Sequence, residues 1–188
     1  MAIKIYIDQG HNPFGFNTGA EGNGYYEQDI TFAVGTELYA LLSENPEFIP
    51  RLSRPTPETV LGTSNNSSVT ERVREANAWG ADVFVSIHTN ASVNPSANGT
   101  EALIYSERST VAMGLAESIL TELTLVTGLR NRGVVLRPGL YVLRRTAMPS
   151  VLVELGFITN PEEAELMATS PSLFALGIYR GILDYYNL

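Results

Sequence analysis

Four side chains in this sequence have the types and placement that metal-assisted hydrolysis requires. The chain holds two histidines, His11 in "YIDQGHNP" and His88 in "VFVSIHTNAS", and each follows directly on an apolar run that reads as a strand. A lone loop histidine is ordinarily a surface or hydrogen-bonding residue. Here the entire histidine supply sits at two strand ends that an α/β sheet brings together, and that points to a pair of metal ligands, imidazole being a common zinc donor. Glu27 closes the glycine-rich stretch "GFNTGAEGNGYYE". It reads either as a first-turn glutamate favoured by the helix dipole or as a third donor, set beside His11 by a loop that folds back. Glu154 ends the apolar run "SVLVE". A desolvated carboxylate is costly, so it is either a solvated strand end or a general acid or base tuned by a nearby ion. Two imidazoles and a carboxylate leave a zinc ion one position for water, as catalytic sites do, whereas structural zinc sites are filled mostly by thiolates. Cysteine is absent. The chemistry on offer is activation of water against a carbonyl.

The elements around these residues must bring distant parts of the chain into one cleft. Residues 2–8 alternate, with Ile3, Ile5 and Ile7 on one face and Lys4, Tyr6 and Asp8 on the other, the pattern of a half-buried strand. Glycine and asparagine make the next stretch a loop up to Gly24. Ile30, Val34, Leu38, Leu41 and Leu42 recur at helical spacing from Glu27 to about Ser43. A short strand is expected near Phe48 to Arg54, and a helix from a Ser68/Glu71 capping box to Trp79. "ADVFVSIH" and "TEALIYS" read as strands, Thr110 to about Thr127 as a helix, and "LYVLRR" and "SVLVELG" as two further strands. Asn160-Pro161 and Ser170-Pro171 open two final helices. Strands separated by helical patterns predict an α/β fold, with a twisted, mostly parallel but mixed sheet flanked by helices on both faces. Ligands of open α/β sheets lie outside the carboxyl ends of the strands, where His11, His88 and Glu154 fall. Residues 1–188 are read as a single catalytic domain with no linker or repeat.

Bulk properties narrow the partners. A formal net charge of −8 argues against nucleic acid and against an anionic membrane surface. No apolar run approaches the roughly 20 residues of a membrane span. "MAIKIYID" has neither the basic start nor the long apolar stretch of a signal peptide. There is no phosphate-binding GxxxxGK[ST] loop and no GxSxG nucleophile elbow.

Taken together, the motifs "IYIDQGHN", "YYEQDITFAV", "LSR", "ERVREANAWGADVFVSIHTNA", "GTEALIY", "NRGV" and "LYVLRRTAMPSVLVELGFITNPEEAELM" resemble the zinc-dependent N-acetylmuramoyl-L-alanine amidases of the Amidase_3 type. The resemblance covers nearly the whole chain. It implies one zinc ion on His11, Glu27 and His88, a catalytic glutamate at Glu154, and hydrolysis of the amide joining N-acetylmuramic acid to L-alanine in peptidoglycan. It also suggests substrate contacts from Asn90, Glu101, Arg132 and Arg144, each of which reads equally as a surface or structural residue. The chain departs from the family at "GHNPFGFNTGA", with Asn12 for a glycine and Asn17 near the place of an aspartate. A monomer is expected, working as a secreted or wall-associated enzyme or as a phage lysin released at lysis, with a wall-binding domain outside these residues. Two alternatives remain at this level: a non-catalytic wall-binding module, and another zinc peptidase or deacetylase acting on wall peptides.

Overall fold

The computed structural model describes residues 1–188. Six strands form the main sheet: β1 (Ile3–Gln9), β4 (Phe48–Leu52), β5 (Val83–Asn90), β6 (Thr100–Ile104), β7 (Asn131–Leu136) and β8 (Ser150–Phe157), in the order β4-β1-β5-β8-β6-β7. All neighbours are parallel except β6 and β8, which run antiparallel. The expected mixed sheet is present, but its antiparallel pair is this one. A small hairpin, β2 (Glu21–Gly22) with β3 (Tyr25–Tyr26), interrupts the glycine-rich loop. Its turn residues Asn23 and Gly24 have φ of 53° and 81°, the backbone that an Asn-Gly hairpin turn needs.

One face of the sheet is covered by α1 (Glu27–Ser43), α3 (Thr110–Thr127), α5 (Pro161–Thr169) and α6 (Pro171–Tyr186). The larger core lies there, built from Ile5, Ile7, Val85, Ile87, Val151 and Val153 against Val34, Leu38, Leu115, Ile119 and Ile178. α3 is long and apolar enough to cross a membrane by composition, yet Leu115, Ala116, Ile119, Leu120 and Leu123 are buried in this core. The other face is covered by α2 (Asn65–Trp79) and the short α4 (Tyr141–Arg145), over Tyr6, Phe84, Leu103 and Leu152.

Four sequence expectations change. "LYVLRR" is the helix α4, not a strand; six residues are too few for periodicity to decide, and the basic residues Arg144 and Arg145 suit a helix C-terminus. The strand that the reading lacked is β7. Residues 2–8 are not half-buried: Tyr6 and Asp8 are 0 % and 1 % exposed, because β1 lies inside the sheet and α2 covers its second face. The cap of α2 also moves, since Ser64 and Ser67 form the capping box and the helix starts at Asn65.

Candidate metal centre and active site

β1 and β5 are adjacent and parallel, so the residues just past their ends meet. The His11 and His88 ring centroids are 4.8 Å apart. α1 begins at Glu27 beneath them, and its carboxylate spans both: His11 Nε2 lies 3.1 Å from Oε2, and His88 Nδ1 lies 3.0 Å from Oε1. The Ala20 and Thr89 backbone N–H groups donate to the same two oxygens at 2.8 and 3.0 Å and fix the carboxylate plane. Burial pushes the Glu27 carboxyl upward, but the two imidazoles outweigh it and hold the group well below the usual carboxylate range.

The donor set fits a metal ion. One potential ligand atom from each of the three residues lies within 4.8 Å of the others, and the two imidazole–carboxylate separations approach the roughly 3.3 Å edge of a tetrahedron with ligand distances of about 2.0 Å. The tautomer argues the same way. Asn17 donates Nδ2–H to Ser68 Oγ at 3.1 Å, which turns its Oδ1 toward His11 Nδ1 at 3.2 Å. With Asn17 Oδ1 accepting from Nδ1–H, the His11 Nε2 is left free to bind a metal.

Backbone strain and close approach hold this arrangement. His11 itself has φ 68°, a conformation that costs a non-glycine residue about 1–3 kcal/mol. Arg72 clamps it: its guanidinium donates to Gln9 O and His11 O, both at 2.6 Å, and pairs with Asp8 at 2.6 Å. Gly19, at φ +83°, has no room for a Cβ, which would lie 2.8 Å from both Glu27 Oε2 and His11 Cγ. We expect Gly19→Ala to fold while losing metal affinity by about 10–100-fold, the range seen when groups supporting metal ligands are altered. A chelator competition titration, with circular dichroism as the folding control, measures it; unchanged affinity would mean that the loop does not press on the donors.

Glu154 is level with His88 across the β5–β8 ladder, just before a bulge that shifts the register by Asn90. Bulges re-aim side chains beside active sites. Its Oε2 is buried without a hydrogen-bond partner. Burial, then the negative charges of Glu27 and Glu101, push the carboxyl up to about 8. On the next strand Glu101 is level with Glu154. It accepts from Asn90 Nδ2 and from Arg132 Nε, each at 3.0 Å. Three of the four expected substrate contacts thus stand together beside Glu154. Arg144 does not join them: it lies over the Tyr141 ring near Tyr105, Ser109 and Ser150, toward the start of β8.

Sequence reasoning missed the buried supports. By alternation Asp8 falls on a polar face, and nothing local in the sequence joins Arg72 or Asn17 to His11. The signal available was "IDQGH", an acidic residue inside a strand three positions before a candidate ligand.

The family profile of Amidase_3, N-acetylmuramoyl-L-alanine amidase, matches residues 5–184. The chain belongs to that family. It is accordingly a peptidoglycan amidase, a hydrolase. It is 35% identical over 189 residues to N-acetylmuramoyl-L-alanine amidase CwlM of Bacillus licheniformis, covering 99% of this chain and 70% of that protein. It is 32% identical over 195 residues to the endolysin of Bacillus phage SPP1, covering 100% of this chain and 68% of that one. The N-acetylmuramoyl-L-alanine amidase of Clostridium difficile 630 superposes with a TM-score of 0.89 at 30% identity, over 99% of this chain and 97% of that structure. The expected family and fold are thereby borne out.

Proposed function

We propose that residues 1–188 act as a zinc-dependent catalytic unit that cuts the amide between the lactyl group of N-acetylmuramic acid and L-alanine, and that His11, Glu27 and His88 hold one zinc ion. The convergence of three donors beside an unpartnered buried carboxylate carries this reading. A zinc ion held there would supply a Lewis acid for water and the scissile carbonyl, and its positive charge would favour the ionised form of Glu154. Glu154 takes the proton as water adds to the carbonyl carbon, then returns it to the amine nitrogen of L-alanine as the C–N bond breaks. Glu27, locked by two backbone N–H groups, keeps both imidazoles in place and stays ionised throughout. Asn90, Glu101 and Arg132 form a polar wall that touches substrate beside Glu154; Arg144, on α4, is the outlying member of this set. We place the work at the bacterial wall, as a monomer, with peptidoglycan as the partner rather than nucleic acid or membrane.

The test joins metal content to product identity. Purified protein should contain about one zinc per chain, lose activity to a chelator and regain it with zinc, and release peptides with L-alanine at the amino end from an unbroken glycan. His88→Ala should lose both metal and turnover. Release of reducing sugar ends, or cleavage within the peptide, would sink the assignment.

A further inference from the structure

The cleft has two arms of opposite chemistry. One arm crosses the sheet from Glu154 to Glu101 and on to Arg132, at the start of β7. β7 is an edge strand, paired only with β6. Arg132 lies on it and Arg137 just past its end, both exposed, and the Arg137 charge acts on Glu154; Arg130, at the opposite end, lines a groove with Glu162 and Glu163 of α5. They belong to a segment, residues 123–153, that contains five arginines and no acidic residue, while the remainder of the chain carries all 20 acidic residues. A basic edge on a protein of net charge −8 is a local field directed at an anion.

The other arm lies past His11. Asn17 and Val69 line a cavity of about 270 Å³ together with both histidines. Residues 9–20 carry no ionisable side chain other than His11, and residues 59–70 carry none. Asn17 N donates to Asn65 Oδ1 at 2.8 Å, and Asn12 bonds the Leu61 backbone on both its N–H and its C=O. The two neutral segments therefore form one surface of amides and hydroxyls, with the Phe14 ring 59% exposed upon it.

An intact glycan strand is uncharged once the lactyl carboxyl is consumed in the amide, whereas the stem peptide carries free carboxylates. We propose, building on the amidase reading above, that the substrate binds in one direction only: the peptide runs over Glu101 toward Arg132 and Arg137, and the sugars lie across Phe14, Asn17 and the 59–70 segment. Guanidinium groups meet carboxylates through charge-assisted hydrogen bonds, and an apolar ring face suits a neutral pyranose better than an ion.

The test uses soluble substrates free of other wall polymers: a disaccharide–tetrapeptide, the same compound with its carboxylates converted to methylamides, and the lactyl-peptide without sugars. Arg137→Glu should raise KM about tenfold on the first, a loss typical of charge-assisted contacts, and leave KM unchanged on the methylamide. Phe14→Ala should raise KM on the disaccharide compound and leave it unchanged on the sugar-free one. Arg180→Glu, on α6, should match the unmodified protein on all three. The crossed pattern, or a KM of Arg137→Glu equal to the parent's on the free-carboxylate compound while the parent turns it over, overturns the direction. If the parent frees no L-alanine-terminated peptide from any of the three, the amidase reading fails and takes the direction with it.

Discussion

Glu154→Gln should retain zinc and lose at least about a thousandfold in turnover, the upper part of the range for a positioned general acid–base. The amide keeps the volume and the polar edge of the carboxylate but accepts no proton, so binding survives while chemistry stops. The same variant has a second expected effect, of opposite sign, on the metal-free protein. The Glu154 carboxyl titrates near 8 in the fold and near 4.3 when unfolded. Between those values the native state holds a proton that the unfolded chain has released. Stability of the metal-free protein therefore falls as pH rises through this window, by about 1.4 kcal/mol for each pH unit. Glu154→Gln removes the penalty, so the metal-free variant should melt higher than the metal-free parent at pH 8 and no higher at pH 4. Thermal melts of chelated protein across that range, set beside turnover on wall, read both effects. Near-normal turnover would place the proton transfer elsewhere; melting curves that coincide at pH 8 would mean that the metal-free fold does not hold Glu154 protonated.

Arg72→Met should produce the largest stability loss. The guanidinium is 2 % exposed and pairs with an Asp8 that is 1 % exposed, and removing one partner of a buried ion pair costs about 3–5 kcal/mol. Burial pushes the Asp8 carboxyl upward, but Arg72 overrides it and holds the group below the usual carboxylate range. In the parent this pair stabilises the fold above the unfolded carboxyl's pKa, and its contribution is lost as pH falls through the lower folded value. In the variant the sign reverses: Asp8 is left desolvated, and stability declines as pH rises. Arg72→Met/Asp8→Asn should recover part of the loss, since no charge is then stranded. Zinc affinity should remain weakened in the double variant, because the His11 carbonyl still lacks its donor. Urea unfolding supplies the stability and metal titration the affinity; full recovery of both in the double variant would confine Arg72 to the Asp8 pair.

Much of this was legible in the chain because the decisive residues sit where patterns are strongest. His11 and His88 follow unambiguous strands, and Glu27 opens a helix whose apolar stripe is regular. Parallel strands put such positions together whatever the loops do. The supports were harder to read. Asp8 looks like a solvent-facing residue in an alternating strand until the neighbours of β1 are known, and Arg72 reads as one more charge on a polar helix. Their pairing spans 64 residues, and no local pattern carries a contact of that range. α4 and β7 are hard to read for the complementary reason: each is short, and an edge strand that holds Arg132 and Gly133 in its first half does not alternate cleanly.

The donors also come from places far apart along the chain, with 61 residues separating Glu27 from His88, and the facing carboxylate arrives from the eighth strand. No fragment that emerges early in synthesis contains a working centre. Hydrolytic capacity is thus a property of the fully closed sheet and not of any early part of the chain. An ion held by His11, Glu27 and His88 would bridge the start of the chain to its middle and so stabilise the whole molecule rather than one loop.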